Sequence, residues 1–301
     1  MELFVTAAVC GVVIGIFSGL LGIGGGTLMV PLFRLGFGLP AIGATATSLF
    51  TIIPTSLAGC ITHIRNKTCI PRLGVVTGLA GACTSPLGVY LASISPAWTI
   101  MLAAALIIGY SAFTMIRKAI RMPKPSHSEL ALRARIELMR RQFESDGEGD
   151  RELRGREEAQ AHRDAPQEDD LPSLTTRQLL IGALIGLVAG LASGYVGVGG
   201  GFIMVPLFIA VLGVMMKQAS GTSLLAVCIL ALPGVVSQAA LGNIDYIAGI
   251  AMAVGSIPGA LIGASLIRFV PERRLRFIFG GFLLVSALIL AINEFAPLLF
   301  G

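Results

Sequence analysis

The chain has 301 residues, of which 54% are hydrophobic and only 13% are charged. Soluble domains carry about 25% charged residues, so this composition excludes an ordinary soluble enzyme or binding module and predicts a polytopic membrane protein. The net charge of +5 fits basic loops on one side of a membrane. It does not indicate a nucleic-acid partner; the lipid bilayer is the expected environment.

The apolar segments fall into two sets of five. A membrane span needs about 20 apolar residues, and runs of about 10–14 are typical of re-entrant or broken elements. We therefore predict an all-α membrane protein with about 8–10 membrane helices, in which the second segment of each set is short and either spans or re-enters. The segments are 3–21, 27–39, 42–64, 73–93 and 97–116, then 178–196, 202–215, 218–241, 246–267 and 277–297.

Charged residues are concentrated between the two sets. Thirteen of the 17 acidic residues and 13 of the 22 basic residues lie within positions 117–177. Ser126 and Glu129 form a helix-capping pattern there, followed by apolar residues at helical spacing, which predicts a short amphipathic helix on the membrane surface. The predicted regions are a first membrane repeat (1–120), a charged cytoplasmic linker (121–176) and a second membrane repeat (177–301).

One glycine-rich motif occurs twice. Residues 15–32 read GIFSGLLGIGGGTLMVPL and residues 190–207 read GLASGYVGVGGGFIMVPL, at a constant offset of 175. Because each glycine costs about 1 kcal/mol in a helix interior, both clusters predict a helix break. His63 and Gln238 keep the same offset, after which the sequence match slips and pairs Asn66 with Asn243.

Loop charge sets the predicted orientation. Cytoplasmic loops are enriched in Lys and Arg, which places loops 65–72 and 268–276 inside with the linker, and turns 93–96 and 242–245 outside. Both termini then lie outside, and only Arg34 falls on the wrong side. The halves run in opposite directions and are predicted to be inverted-topology repeats, a plan typical of secondary transporters.

The two glycine-rich breaks are the predicted substrate site, converging near the membrane midplane. Helix N-termini attract anions through free N–H groups, and no carboxylate falls deep in an apolar segment, so a small anion is favoured. The alternative role for the glycines is close helix packing. The alternative for the hydroxyl groups is a hydrogen bond to a carbonyl oxygen of their own helix. The predicted substrate-binding residues are Gly22, Gly24, Gly25, Gly26, Thr27, Thr47 and Ser48, with Gly197, Gly199, Gly200, Gly201, Thr222 and Ser223.

His63 and Gln238 are candidates for a gate or for proton coupling. His63 is the one histidine in a predicted span, near its cytoplasmic end, and Gln238 is its counterpart in the second half. Buried ionisable groups in membrane segments often carry protons. A structural role at the membrane interface is the alternative for His63.

Neither a cofactor nor a metal is predicted, and no catalytic residue is assigned. The glycine clusters lack the strand context of a dinucleotide site, and no GK[ST] sequence follows them. The five cysteines form no CxxC pair, and they fit either small apolar packing residues or a sulfur relay. They are Cys10, Cys60, Cys69, Cys83 and Cys228.

The duplicated motif, with a Thr-Ser pair following each triple glycine, resembles the sulfite exporter TauE/SafE family, also described as 4-toluene sulfonate uptake permeases. The resemblance covers residues 1–120 and 176–300. It implies secondary transport of sulfite, sulfoacetate or related organosulfonates across the cytoplasmic (inner) membrane by alternating access, coupled to a proton or another ion. Which anion, its direction and the oligomeric state stay open.

Three other functions are compatible with the residues alone. A passive anion channel would use the same helix breaks without coupling. A membrane sulfur-relay protein would use the cysteines, and an assembly or sensor protein would signal through the linker.

Overall fold

The computed structural model describes residues 2–121 and 175–300. These residues form ten α-helices and one 3-10 turn, with no strand among them, so the predicted all-α class is confirmed. The predicted linker helix lies outside the described residues. The helices are α1 (Glu2–Leu21), α2 (Gly26–Leu35), α3 (Ala41–Arg65), α4 (Pro71–Ile94), α5 (Ala97–Arg121), α6 (Thr176–Val196), α7 (Gly201–Val211), α8 (Met216–Ala240), α9 (Tyr246–Leu266) and α10 (Glu272–Phe300), with the 3-10 turn at Ile267–Phe269.

Six described helices are long and apolar enough to cross a membrane, namely α3, α4, α5, α6, α8 and α9. By contrast, α2 and α7 have only 10 and 11 residues. At about 1.5 Å per residue they are far shorter than a hydrocarbon core of about 30 Å. The prediction of two short apolar segments is therefore confirmed, and both helices end a few residues earlier than expected.

Helices of the two halves pack against each other in matching pairs. Helix α1 lies along α9, and α6 lies along α4. Helix α3 also packs on α9, and α8 also packs on α4. Each half thus supplies partners for the other, and both halves belong to one compact unit.

Small residues bring these helices into backbone contact. A glycine stripe on α1 faces α9, and the equivalent stripe on α6 faces α4, which lets the helix axes approach closely without side chains between them. The contacts recur at the offset of 175: Gly11 on Met252 and Gly186 on Thr77; Gly15 on Ser256 and Gly190 on Gly81; Gly19 on Ala260 and Gly194 on Ser85.

We expect Gly190→Ala to destabilise the protein. A Cβ at Gly190 would lie 2.5 Å from the Gly81 Cα atom, so α4 and α6 must separate, and overpacking of this kind costs about 1–3 kcal/mol. The measurement is the temperature at which the detergent-solubilised protein loses its monodisperse peak in size-exclusion chromatography.

Gly281→Ala is the matched control, because a Cβ at Gly281 meets nothing within 4 Å. It should leave the transition unchanged or raise it, since alanine is the better helix former by about 1 kcal/mol. Equal transition temperatures for the two variants would contradict the packing role assigned to Gly190.

Candidate functional site

Glycine is required at each helix break because the backbone there is left-handed. Three residues in each break have a positive φ angle, a conformation that glycine adopts at little cost and other residues avoid. The φ angles are 76°, 82° and 84° at Gly22, Gly24 and Gly25, and 77°, 89° and 71° at Gly197, Gly199 and Gly200. The duplicated sequence therefore encodes a duplicated backbone conformation.

The two breaks lie in contact. A Cβ atom at Gly26 would lie 2.5 Å from the carbonyl oxygen of Val198, and one at Gly201 would lie 2.6 Å from the carbonyl oxygen of Gly22. The first residue of each short helix thus touches the break of the other half. Neither position has room for a side chain.

Both short helices begin with a buried N-terminus that no side chain caps. The N-cap residues of α2 and α7 are Gly25 and Gly200, and neither helix has a side-chain cap hydrogen bond. Residues 21–27 and 196–202 are all buried. The first N–H groups of a helix have no partner within it, but those of Leu28, Gly201 and Ile203 already donate to carbonyl oxygens of the breaks. The N–H groups of Gly26, Thr27 and Phe202 have no such backbone partner among the described residues.

Buried hydroxyl groups without a hydrogen-bond partner accompany these N-termini. Among the described residues, such groups occur on Ser18 and Ser193 in the last turns before the breaks, on Thr27, and on Ser48 and Ser56 of α3. A buried hydroxyl left unpaired costs about 1–3 kcal/mol. Unpaired buried hydroxyl groups need an explanation, and a polar ligand is one such explanation.

Ser56 and Ser18 lie directly beside the first break. The Ser56 Oγ atom is 3.2 Å from the Cβ position of Gly24, and the Ser18 Cβ atom is 3.4 Å from that of Gly25. Sequence reasoning missed these residues and Ser193 as site candidates. The signal for Ser18 and Ser193 was present, since both belong to the duplicated motif, whereas nothing in the sequence marks Ser56.

The predicted residues Thr47 and Thr222 hold the start of a helix from the other half. Thr47 Oγ1 accepts a hydrogen bond of 3.0 Å from the backbone N–H of Asp245, and Thr222 Oγ1 accepts one of 2.9 Å from that of Ile70. Asp245 and Ile70 are the N-cap residues of α9 and α4. The bonds of these two hydroxyl groups therefore belong to the helix framework rather than to a substrate.

The predicted residues Ser223 and Ser48 differ in their bonding although they are equivalent in sequence. The Ser223 hydroxyl donates to the carbonyl oxygen of Gly22 over 2.6 Å and also lies 2.8 Å from the Ser220 carbonyl oxygen. The Ser48 hydroxyl is fully buried and has no partner among the described residues. The two hydroxyl groups are therefore bonded differently in this conformation.

The side chains of His63 and Gln238 each form a hydrogen bond with the turn that follows their own helix. His63 Nε2 lies 2.8 Å from the carbonyl oxygen of Gly19, which can only accept, so Nε2 carries the proton. His63 Nδ1 lies 2.8 Å from Thr68 Oγ1, and Asn243 donates to Gln238 Oε1 over 2.8 Å. These bonds give both residues a structural task, and the gating role stays a prediction.

The turns also correct the sequence match beyond these residues. The backbone N–H of Thr68 donates to the His63 carbonyl, as that of Asn243 donates to the Gln238 carbonyl. Thr68, not Asn66, is therefore the structural counterpart of Asn243, and the offset stays at 175. The slip inferred from the sequence is wrong, because two asparagines at non-equivalent positions gave a better residue match.

The Cys69 thiol is held in its protonated form. In the loop before α4, the Cys69 thiol donates a hydrogen bond to the Cys60 sulfur, and this bond together with burial raises the pKa of Cys69. A protonated thiol is a poor nucleophile. Among the described residues, no group of three or more His, Cys, Asp or Glu side chains is placed to hold a metal ion.

One described cavity lies beside the second short helix. It has a volume of about 760 Å³ and is bounded by α4, α5, α6 and α7, with Tyr110, Lys118 and Tyr195 in its lining. None of the predicted site residues contributes to it. Its lining is almost wholly apolar, which suits lipid chains better than an anion.

The fold and the comparisons together define a polytopic α-helical membrane transporter. The chain belongs to the sulfite exporter TauE/SafE family, whose sequence model matches residues 7–290. The family resemblance seen in the duplicated motif is therefore confirmed, and the chain is a transporter rather than an enzyme.

Three similar proteins from Bacillus subtilis (strain 168) are named as probable membrane transporter proteins. YdhB is 26% identical over 261 residues, which are 86% of this chain and 88% of that protein. YunE is 25% identical over 278 residues (88% and 89%), and YjnA is 27% identical over 284 residues (94% and 98%). No solved structure matches the chain significantly.

We expect Thr222→Val to lower stability, because it leaves the buried N–H of Ile70 without an acceptor. An unsatisfied buried donor costs about 1–3 kcal/mol. Thr222→Ser keeps the hydroxyl and should retain most of the stability. The measurement is the thermal transition of the solubilised protein, as for Gly190→Ala.

Thr62→Val provides the control, since the Thr62 hydroxyl donates only to the Ala58 carbonyl of its own helix and its loss frees no backbone N–H. If Thr222→Val and Thr62→Val have the same transition temperature, the Ile70 bond does not matter to the fold.

Proposed function

We propose that the protein is a secondary transporter of small sulfur-containing oxyanions, such as sulfite, sulfoacetate or a related organosulfonate. It works by alternating access, and its substrate binds between the two helix breaks. The observation that carries this proposal is the meeting of two buried, uncapped helix N-termini. An anionic oxygen is the natural partner for such N–H groups.

The donors proposed for the anion come from both halves. The breaks supply backbone N–H groups other than those of Gly22, Gly197 and Gly201, which already donate to carbonyl oxygens. Thr27 and Ser48 supply buried hydroxyl groups that have no partner among the described residues. In the proposed site, Thr47, Thr222 and Ser223 keep the surrounding helices in place through their backbone bonds.

The charge of the interior also favours an anion. None of the fully buried side chains in the described residues is a carboxylate, and a cation at membrane depth would need one or a ring of carbonyl oxygens. None is a lysine or an arginine either. Neutral dipoles would bind the anion tightly enough to select it and weakly enough to release it.

We further propose that the two halves are inverted repeats. The cross-half contacts recur at the offset of 175 along α1, α4, α6 and α9, and Thr47 and Thr222 make equivalent bonds to the opposite half. In this proposal the linker lies in the cytoplasm and both termini lie outside the cytoplasmic membrane, as the enrichment of Lys and Arg in cytoplasmic loops favours. Movement of one half against the other would open the site to each side in turn.

Transport by the purified protein in proteoliposomes is the decisive test. We expect saturable uptake of radiolabelled sulfite or sulfoacetate, stimulated by the unlabelled anion on the opposite side and by an imposed pH gradient, with little uptake of chloride. Unitary currents without counter-transport would instead identify a passive anion channel.

The variants Gly199→Ala and Gly213→Ala distinguish an effect on the proposed site from a general effect of backbone strain. Both glycines have a positive φ angle, 89° and 68°, so both changes impose similar backbone strain of about 1–2 kcal/mol. Only Gly199 lies in a break, and a Cβ at Gly213 meets nothing within 4 Å. Gly199→Ala should abolish uptake and Gly213→Ala should retain it; equal rates would remove the breaks from the proposed site.

Labelling of two equivalent turns tests the inverted orientation. Lys67 and Gly242 are 175 residues apart, both are exposed, and both have a positive φ angle, of 54° and 71°. In a cysteine-free background, Gly242→Cys should react with a membrane-impermeant maleimide on intact cells. Lys67→Cys should react only after the membrane is permeabilised, and reaction of both from one side would contradict inversion.

A further inference from the structure

Two apolar side chains fill the point where the breaks meet. Ile52 on α3 and Val227 on α8 are 175 residues apart in the sequence, and each is 0% exposed. Neither belongs to the duplicated motif. Both are β-branched residues within predicted spans, and nothing in the sequence distinguishes them from ordinary core residues.

Each of these side chains contacts both breaks at once. The Cβ position of Gly24 lies 3.1 Å from Ile52 Cγ2 and 3.1 Å from Val227 Cγ1. The Cβ position of Gly199 lies 3.0 Å from Ile52 Cδ1 and 3.4 Å from Val227 Cγ1. The third glycine of the first break, Gly26, has Ile52 Cδ1 at 2.6 Å from its Cβ position.

Hydrocarbon from both side chains therefore fills most of the space directly beside the glycines of the two breaks, together with the Ser56 hydroxyl at Gly24. An oxyanion cannot share this space, because a charge placed against methyl groups is strongly disfavoured. Narrow apolar constrictions also exclude water and thereby stop ions without a physical plug. The described conformation is consequently closed at the site itself.

We propose that Ile52 and Val227 form a paired apolar gate that must withdraw for the anion to bind, and that their size limits the size of the anion. This proposal rests on the transport function proposed above. It assigns the closing element to the centre of the molecule, at the contact between the halves, in addition to any closure at the outer and inner ends.

The helix that carries Ile52 has a built-in point of bending. Pro54 lies inside α3 two residues after Ile52, and proline removes one backbone hydrogen bond and disturbs the preceding turn. Beside it, the Thr51 hydroxyl bonds the Thr47 carbonyl of its own helix at 2.9 Å and the Gly249 carbonyl of α9 at 3.3 Å. Movement of α3 relative to α9 would displace Ile52 from the breaks.

The test compares two pairs of alanine variants in proteoliposomes. The gate variants are Ile52→Ala, Val227→Ala and their combination. The controls are Leu49→Ala and Leu224→Ala, which are also 175 residues apart and fully buried on α3 and α8 but pack against Gly234 and Gly59 instead of the breaks.

The measured quantity is the uptake rate of a bulky aromatic sulfonate, 4-toluenesulfonate, divided by that of sulfite. We expect the double gate variant to raise this ratio by about ten-fold or more, since one or two methylene groups change discrimination in an apolar pocket by about that factor. The leucine variants should leave the ratio within about two-fold of the wild type by the same reasoning.

An unchanged ratio in a folded double gate variant would overturn the gate, as would an equal rise in the leucine variants. If the double variant does not fold, Ile52→Val, which removes a single carbon, should raise the ratio in the same direction, and no rise would count against the gate. Failure of the wild type to transport any sulfur oxyanion would instead refute the proposed function. In that case the ratio of iodide to chloride flux in the same variants would still decide the gate.

Discussion

Backbone N–H groups that lie at membrane depth must find an acceptor within the protein, because lipid chains offer none. This chain buries two helix starts, at Gly26 and Gly201, among apolar helices and gives neither a side-chain cap. The rest of the architecture follows from this constraint. Long helices must surround the two starts to exclude lipid, and polar hydroxyl groups must be carried on those helices to face them.

Close backbone packing is what allows the surrounding helices to do this. The glycine stripes of α1 and α6 bring them against α9 and α4 with no side chains between, so that both breaks, which directly follow α1 and α6, are held from the side. Thr47 and Thr222 then fix the starts of α9 and α4, because their hydroxyl oxygens accept hydrogen bonds from the backbone N–H groups of the N-cap residues. The packing glycines and the break glycines are thus parts of one arrangement with different roles.

The sequence was sufficient for features set by local backbone chemistry. Glycines in a duplicated motif marked both breaks, because a left-handed backbone excludes most other residues, and the apolar segments marked the spans. It was insufficient for contacts between residues far apart in the chain. The Thr222 bond to Ile70 joins residues 152 apart, so nothing in the sequence favoured a framework role over substrate binding.

Two further features were hidden for a related reason. Ile52 and Val227 are ordinary apolar residues until their contact with both breaks is known, since composition carries no information about which side of a span faces the centre. Similarly, matching by residue identity paired Asn66 with Asn243, whereas the hydrogen-bonded turns pair Thr68 with Asn243. The hydrogen-bonded turn is the same in both halves, but the residue at its end is a threonine in one half and an asparagine in the other.

The bonds that differ between the two halves carry information about the proposed transport cycle. If inverted repeats exchange conformations during alternating access, contacts that are equivalent and equal in both halves persist, while unequal ones change. The threonine bonds to Asp245 and Ile70 are equal, at 3.0 and 2.9 Å. The serine contacts are unequal, because Ser223 binds the Gly22 carbonyl while Ser48 has no partner among the described residues. In this view the bonds of the two threonines persist through the cycle. The bonding of the serine next to each threonine would switch between the halves as the conformation changes.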